Sequence, residues 1–243
     1  MLAVEVEQAA LSYGGERLFH ELDFTLPAGQ WTCLLGPSGV GKSSLLRLIA
    51  GLEPLQQGAV RCSDGQPLAG RLAWMGQRDN LLPWLSALDN VMLGARLRGQ
   101  SPDRAQAVEL LARVGLERQM AQRPATLSGG ERQRVALART LMEDRAVVLM
   151  DEPFSALDAI TRARLQELAA TLLLRRTVLL VTHDPLEALR LGERIHVMAG
   201  HPARIEPPIC PLGQPPRELD DAKLLTRQGE LLARLAHAQD LAA

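Results

Sequence analysis

The most specific chemical signal in the chain is the run GPSGVGKS at residues 36–43. It matches the spacing G-x-x-x-x-G-K-[ST] of a phosphate-binding loop at every fixed position. Its glycines allow successive backbone N–H groups to point at phosphate oxygens, Lys42 supplies a positive charge, and the Ser43 hydroxyl suits Mg²⁺. An apolar run precedes the loop and a helical pattern follows it, which disfavours a chance match in a glycine-rich turn. We expect phosphate to be bound by Gly36, Pro37, Ser38, Gly39, Val40, Gly41, Lys42, Ser43 and Ser44.

Two carboxylates follow an apolar run, at a position where a phosphate-binding loop requires acidic side chains. Asp151 and Glu152 follow the apolar run AVVLM at 146–150, and ligands of α/β sheets bind at the carboxyl ends of strands. We expect Asp151 to hold Mg²⁺, directly or through water, and Glu152 to act as general base on an attacking water, a role that contributes about 10²–10⁴-fold to a rate. An isolated Asp-Glu pair is more often a solvated loop, but the preceding strand favours the catalytic interpretation.

A histidine stands at the end of another strand-like run. His183 follows TVLLVT, residues 177–182, and an imidazole there can donate to a terminal phosphate or orient the water. The remaining histidines lack such a position and are interpreted as structural or surface residues: His20, His196, His201 and His237.

A second anion-binding pattern lies at LSGGERQR, residues 127–134. Ser128 can cap a helix, while Gly129 and Gly130 leave the backbone N–H groups uncovered at a helix start. An ordinary capped helix would show the same pattern, and the apolar positions that follow would pack in either case. The sequence therefore raises the question of why one chain carries two phosphate-binding surfaces.

Hydrophobic patterning predicts the elements that position these motifs. Alternating or continuous apolar runs predict strands at 2–7, 22–26, 31–36, 56–62, 70–76, 146–150 and 177–181, and other patterns predict helices at about 45–52, 86–98, 157–174 and 218–237. A further helix is predicted after Ser101 as its cap, with Pro102 at the first helical position and Gly115 as the stop. A strand, a helix and a strand in succession imply parallel pairing of 146–150 with 177–181.

This order of elements predicts an α/β protein. The expected fold is a P-loop NTPase core with a mostly parallel sheet, an N-terminal antiparallel β part and an inserted helical subdomain. The predicted boundaries are 1–80 and 142–215 for the nucleotide-binding core, 81–141 for the helical subdomain with LSGGERQR, and 216–243 for a helical tail.

Composition excludes several classes. The 243 residues carry a formal net charge of −1, which argues against sequence-independent nucleic-acid binding. The three cysteines lack metal-ligand spacing, Cys33 falls in an apolar run as a buried residue would, and this usage suits a reducing cytoplasm. The N-terminus does not resemble a signal peptide, and no run approaches the roughly 20 apolar residues of a membrane helix, so a membrane role is expected through a partner.

With these motifs together, the chain closely resembles the ATP-binding subunit of ABC transporters over essentially its whole length. LSGGERQR matches the signature motif of that family, and the roles given above to the phosphate loop, Asp151, Glu152 and His183 agree with it. The resemblance implies ATP with Mg²⁺, and places Tyr13 against adenine. It also implies that Gln77 meets Mg²⁺ and the water, and that SALD, which ends at Asp158, crosses a dimer interface.

The resemblance also answers the question of the two surfaces. In this family two copies pair head to tail, so the phosphate loop of one copy and the signature helix of the other hold the same ATP. Hydrolysis then removes a bridge between the copies, because a ligand shifts an open–closed equilibrium only through contacts made in one state.

The resemblance implies partners as well. The segment 77–94 would form a socket for a transmembrane permease, with candidate contacts at Leu81, Leu82, Pro83 and Trp84, although these residues could instead be core of the insert. LLPW followed by DNV looks like bacterial importers of nitrate, sulfonates, taurine and the pyrimidine precursor of thiamine, which work with a periplasmic solute-binding protein. The implied location is peripheral, at the cytoplasmic face of the inner membrane.

Two alternatives belong to other classes. One is an ABC-family ATPase that moves no solute and acts on ribosomes or chromosomes, but such relatives have two nucleotide domains in one chain or long coiled-coil arms. The other is a regulatory module that binds ATP without hydrolysis. The presence of both Glu152 and His183 disfavours it.

Overall fold

The computed structural model describes residues 1–218 and 222–241. The strands are β1 (Val4–Tyr13), β2 (Glu16–Leu26), β3 (Trp31–Leu35), β4 (Gln57–Cys62), β5 (Leu72–Met75), β6 (Val147–Asp151), β7 (Thr177–Val181), β8 (Arg194–Ala199) and β9 (Arg204–Ile205). The helices are α1 (Lys42–Ile49), α2 (Ala87–Val91), α3 (Leu93–Leu97), α4 (Arg104–Arg113), α5 (Gly129–Met142), α6 (Ala159–Leu172), α7 (Pro185–Leu191) and α8 (Ala222–Asp240). Within the described residues, no helix combines the length and the apolar character that crossing a membrane requires.

The chain divides into two compact units. The first consists of Met1–Leu72, Ala146–Asp151 and Leu174–Ala243, and the second of Ala73–Arg145 and Glu152–Leu173. These units describe how residues pack. The boundaries predicted for the nucleotide-binding core, the helical subdomain and the tail stay predictions.

The first unit begins with an antiparallel sheet in the order β2–β1–β4. Val4 pairs with Leu26 on one side and Cys62 on the other. Val4 and Val6 are buried on either side of the exposed Glu5, whereas residues 9–11 are buried in succession. The strands predicted at 2–7 and 22–26 are parts of a longer hairpin, which turns at Gly14 and Gly15. Both glycines have positive φ, as a tight hairpin turn requires.

The main sheet of the first unit is parallel. Its strands lie in the order β6–β7–β3–β8, with β9 added antiparallel to β8. Every residue of β3, β6 and β7 is buried, as expected for strands covered on both faces. The predicted parallel pairing of β6 with β7 is confirmed, whereas β8 was not predicted because Arg194 and His196 interrupt its apolar pattern.

The second unit is mainly helical. The single helix predicted at 86–98 is wrong, because two short helices meet at Met92. Helix α2 buries most of its residues while α3 buries none, so no apolar stripe runs through both.

The start of helix α4 also differs from its prediction. Its cap is Asp103, not Ser101, because the Asp103 carboxylate accepts the Gln106 N–H at 3.0 Å and leaves Pro102 outside the helix. An apolar stripe of this helix is buried, and Gly115, the predicted stop, follows the helix with φ of 71°. The stripe consists of Ala107, Leu110, Leu111 and Val114.

Candidate functional site

The phosphate-loop sequence joins β3 to α1 in the first unit. Gly36, Gly39 and Gly41 have φ of 151°, 82° and 111°, a region that L side chains rarely adopt. A Cβ atom at Gly36 would also overlap the Met198 carbonyl oxygen. Glycine is therefore required at Gly36 both by the backbone angle and by the close approach of β8.

The start of α1 fits an anion. Gly41 is its N-cap, no side chain caps the helix, and its first turn contains no acidic residue. The N-terminus of a helix carries unsatisfied N–H groups and a partial positive charge, which favour a bound anion. These features match the bare backbone donors expected of GPSGVGKS.

Lys42 points back into the loop. Its Nζ donates to the Gly36 carbonyl at 2.8 Å and to the Pro37 carbonyl at 2.7 Å, and the residue is only 9% exposed. These two hydrogen bonds hold the ammonium group beside the backbone carbonyls of the loop. The geometry thus concentrates positive potential at one end of β3.

Three neighbouring strands bring the other site residues of the first unit to the same edge. Val181 of β7 pairs with Asp151 of β6 and with Leu34 of β3, so the carboxyl ends of these strands are aligned. The Asp151 side chain is buried there, and His183 follows β7 after one residue. The structure therefore places the phosphate loop, Asp151 and His183 at one sheet edge, where ligands of α/β folds bind.

Tyr13 lies at the end of β1 and is 47% exposed. Partial burial raises the pKa of its phenol, a hydrogen bond with Ser44 lowers it, and a hydrogen bond with Glu53 raises it. The residue predicted to stack on adenine and the last residue of the phosphate loop are thus in contact.

Glu152 begins the second segment of the second unit. Its φ is 51°, which is uncommon for a residue with a side chain and costs about 1–3 kcal/mol. Its carbonyl accepts hydrogen bonds from the Ser155 hydroxyl at 3.1 Å and from Gln133 Nε2 at 2.9 Å. A strained backbone angle held by surrounding bonds is typical of functional residues.

The predicted cap of α5 is confirmed. Ser128 Oγ accepts the Glu131 N–H at 3.2 Å, and the Glu131 carboxylate accepts the Ser128 N–H at 2.7 Å. Hydrogen bonding from the Ser128 backbone lowers the pKa of the Glu131 carboxyl. Only the Ser128 cap was predicted, although the S-x-x-E spacing indicates the full capping box.

The segment that follows Gln77 is held to α5. Arg132 Nε donates to the Asp79 carboxylate at 3.0 Å, and Arg139 donates to the carbonyls of Asp79 at 2.6 Å and Asn80 at 2.9 Å. Gln77 itself is exposed. Asp79, Arg132 and Arg139 were not predicted as site residues, because contacts between distant side chains and backbone groups leave no sequence pattern.

The candidate socket contains both core and surface residues. Leu81 is buried, whereas Trp84 is 65% exposed. Between Leu82 and α2 the loop is held by Asn90, which accepts the Leu82 N–H at 2.8 Å and donates to the Leu82 carbonyl at 3.2 Å. A fully buried amide therefore supports a loop that presents an exposed indole.

Asp158 and His196 have clear structural roles. The Asp158 carboxylate caps α6 by accepting the Thr161 N–H at 3.0 Å, and this bonding lowers its pKa. His196 is buried in β8, where Nδ1 lies 3.0 Å from the Glu206 carbonyl oxygen and burial lowers the pKa of the imidazole. The structural interpretation of His196 is confirmed.

Comparisons with known proteins agree with these features. The family model described as ABC transporter matches residues 19–155. An uncharacterized ABC transporter ATP-binding protein of Haemophilus influenzae is 47% identical over 241 residues, which cover 97% of this chain and 100% of that protein. An aliphatic sulfonates import ATP-binding protein of Rhodococcus jostii is 45% identical and covers 94% of this chain and 91% of its own length.

Solved structures show the same fold. A dimeric ATP-binding cassette in a post-hydrolysis state, bound to ADP and Pi, aligns with a TM-score of 0.77 and 30% identity. The alignment covers 86% of this chain and 99% of that one. The predicted α/β fold class is confirmed, and the chain belongs to the ABC transporter family as one of its ATP-binding, ATP-hydrolysing subunits.

Proposed function

We propose that this chain is the ATPase subunit that powers uptake of aliphatic sulfonates through a separate membrane permease. The observation that carries the ATPase part is the shared sheet edge that holds the phosphate loop, Asp151 and His183. Support for the solute class comes from relatives named for aliphatic sulfonate import, at 45%, 42% and 41% identity over nearly the whole chain. Nitrate, taurine and the pyrimidine precursor of thiamine are the competing solutes.

In this proposal the ATP phosphates lie on the loop 36–44. The bare N–H groups at the start of α1 and the Lys42 ammonium balance phosphate charge. Tyr13 would stack on the adenine ring, and its hydrogen bond with Ser44 at the end of this loop supports that assignment.

Mg²⁺ would be held by Ser43 and Asp151, with Gln77 as a further oxygen donor. A hydroxyl and a buried carboxylate are hard oxygen ligands, and Mg²⁺ commonly binds one or two carboxylates together with substrate phosphates. Among the residues that the structure describes, no group of three or more His, Cys, Asp or Glu side chains is arranged to hold a metal ion. When bound, the ion would neutralise charge on the phosphates.

In ATP hydrolysis, Glu152, His183 and Gln77 each have a separate role. Glu152 takes a proton from the attacking water, while His183 donates toward the terminal phosphate. Gln77 helps to orient the water. The hydrogen bonds on the Glu152 carbonyl fix the backbone from which its carboxylate extends.

The two anion-binding surfaces imply a head-to-tail dimer of this chain. Ser128, Gly129 and Gly130 would complete the ATP site of the partner copy, and Asp158 would lie at the interface. Two solved cassettes that align with this chain are dimeric, which supports this assembly.

The permease would bind the segment 77–94, with Trp84 as its main apolar contact because the indole is exposed on a loop that Asn90 holds rigid. The subunit would thus be peripheral at the cytoplasmic face of the inner membrane, and a periplasmic protein would deliver the solute. An ABC-family ATPase that is not coupled to transport is disfavoured by the import proteins among its relatives.

The test of hydrolysis uses Glu152→Gln. We expect this variant to bind ATP, to lose turnover by about 10²-fold or more, and to elute as a dimer with ATP in size-exclusion chromatography. A variant that stays monomeric with ATP would contradict the composite site.

The test of the solute uses the subunit assembled with its permease in vesicles. We expect a binding protein loaded with an alkanesulfonate to stimulate ATPase activity, and the same protein with nitrate or a pyrimidine to leave it at the basal rate. Stimulation by nitrate alone would refute the sulfonate assignment.

A further inference from the structure

Gln133 connects the helix of the signature motif to the segment that begins with Glu152. Its Nε2 donates to the Glu152 carbonyl at 2.9 Å and to the Ser155 hydroxyl at 3.3 Å. Its Oε1 accepts the Ala156 N–H at 2.9 Å. The residue is 8% exposed, so both ends of a buried amide are used on one short segment.

That segment depends on outside support. Glu152 has φ of 51°, and within the turn its carbonyl is also bonded by the Ser155 hydroxyl. A strained angle persists only when surrounding groups hold it. Gln133 supplies a donor to the strained residue and an acceptor for the N–H four positions later, so it clamps both sides of the turn.

We propose that Gln133 is a positioning residue, which fixes Glu152 and the 155–158 loop relative to Ser128. The inference rests on the proposed function, in which Glu152 acts on the ATP held by its own chain while Ser128 completes the site of the partner copy. Gln133 lies on the same helix as Ser128, five residues along, and touches no part of the nucleotide in this assignment. It therefore links the two ATP sites of the dimer through one rigid helix.

A purely structural role would make a different prediction. Removing a buried packing residue lowers stability and affects ATP binding and turnover together. Removing a positioning residue moves the general base, and a displacement of about 1 Å can cost about 10²-fold in rate with binding preserved. Gln133→Met keeps the volume but loses every hydrogen bond. Gln133→Glu keeps the acceptor for Ala156 and loses the donor to Glu152.

The experiment measures kcat, ATP affinity and melting temperature for Gln133→Met and Gln133→Glu. We expect kcat to fall about 10²-fold in the Met variant, with the ATP dissociation constant within about twofold. The matched control is Thr140→Val, on the same helix but outside the signature motif, whose buried hydroxyl donates to the Ala136 carbonyl at 3.0 Å instead. The control should lose stability and retain kcat.

A second measurement separates this inference from the proposed role of Glu152. Amide hydrogen exchange at Ala156 should accelerate at least about tenfold in Gln133→Met and stay unchanged in Gln133→Glu and in the control, because Gln133 Oε1 accepts that N–H in the native protein and only the Met variant removes the acceptor. If Glu152→Gln hydrolysed ATP at the wild-type rate, Glu152 would not be the general base. The exchange rate at Ala156 would then test the role of Gln133 independently. Wild-type kcat in Gln133→Met beside an inactive Glu152→Gln, or unchanged exchange at Ala156 in Gln133→Met, would overturn the inference.

Discussion

Arg132 of α5 donates a hydrogen bond from Nε to the carboxylate of Asp79 at 3.0 Å, two residues beyond Gln77. The pair joins the helix that carries the signature motif to the loop proposed to sense the permease. Both side chains are about one-third exposed, at 37% and 33%, so solvent screens the interaction. We therefore expect loss of this hydrogen bond to reduce coupling between the permease and the ATPase, and to change the free energy of unfolding much less.

We predict that Asp79→Asn and Arg132→Gln each lower permease-stimulated ATPase activity several-fold. Each should cost under about 1 kcal/mol in the free energy of unfolding, because the pair is partly exposed. A double-mutant cycle on the stimulated rate measures the interaction, and the double variant should lose no more than either single variant. Losses that multiply would mean that the two residues act independently.

Replacement of Lys42 should act on binding. We predict that Lys42→Ala weakens ATP affinity by at least about tenfold, since it removes a charge worth several kcal/mol near phosphates in a site of low dielectric. Titration calorimetry with ATP measures the change. Arg47→Ala, on the exposed face of the last turn of α1, is the matched control and should bind ATP normally. Equal affinity in both variants would remove Lys42 from the phosphate site.

A bulky cation at Ser128 should separate binding from turnover. We predict that Ser128→Arg binds ATP as a monomer with wild-type affinity but hydrolyses it at least about 10²-fold more slowly, because the guanidinium blocks the surface that completes the partner's site. Loss of the cap also costs about 1 kcal/mol.

The control for that capping loss is Asp103→Ala. Asp103 caps α4 by accepting the Gln106 N–H at 3.0 Å and lies outside the signature motif. It should show the same stability loss in urea denaturation with unchanged turnover. Normal ATPase activity in Ser128→Arg would show that the motif does not face nucleotide.

Trp84 should matter only to the assembled transporter. Because its side chain is exposed, we predict that Trp84→Ala changes the free energy of unfolding by under about 0.5 kcal/mol and leaves the ATPase activity of the isolated subunit intact. In reconstituted vesicles it should uncouple transport. Leu97→Ala, which removes an apolar side chain that is 78% exposed, should transport normally. Full transport by the Trp84 variant would exclude this residue from the socket.

Arg217 should dominate the stability of the C-terminal part of the first unit. Its buried guanidinium donates to the carbonyls of Leu189 and Gly192 at 2.8 Å, and to three more in the loop 211–213 at 2.9 to 3.1 Å. Burial lowers the pKa of this group. We predict that Arg217→Met destabilises the protein by about 3 kcal/mol, because several buried carbonyls lose their donor at once.

Urea denaturation compares this loss with a surface control. Arg61→Ala removes a side chain that is 66% exposed and paired with Glu7, so it should cost under about 1 kcal/mol. A similar loss in the free energy of unfolding for the two variants would contradict the large stabilising contribution predicted for Arg217.

The sequence alone determined the site motifs and the fold class. GPSGVGKS, the Asp151–Glu152 pair and LSGGERQR each encode a local backbone, since glycines set the loop angles and Ser128 with Glu131 sets the helix start. Apolar periodicity located the central strands β3, β6 and β7 because each is buried on both faces. It failed for β8, where Arg194 and His196 break the apolar run. The cap of α4 was also predicted wrongly, at Ser101, because the Asp103 side chain caps the helix.

Only the tertiary structure decided how the motifs are supported. Gln133 reaches a carbonyl 19 residues away and Arg217 reaches one 28 residues away. Every residue has a backbone carbonyl, so a side chain that donates to a carbonyl does not require any particular residue type as its partner. Motif residues are recognisable because their chemistry is local, whereas the groups that position them are selected by the distance and direction of chain segments that folding brings together.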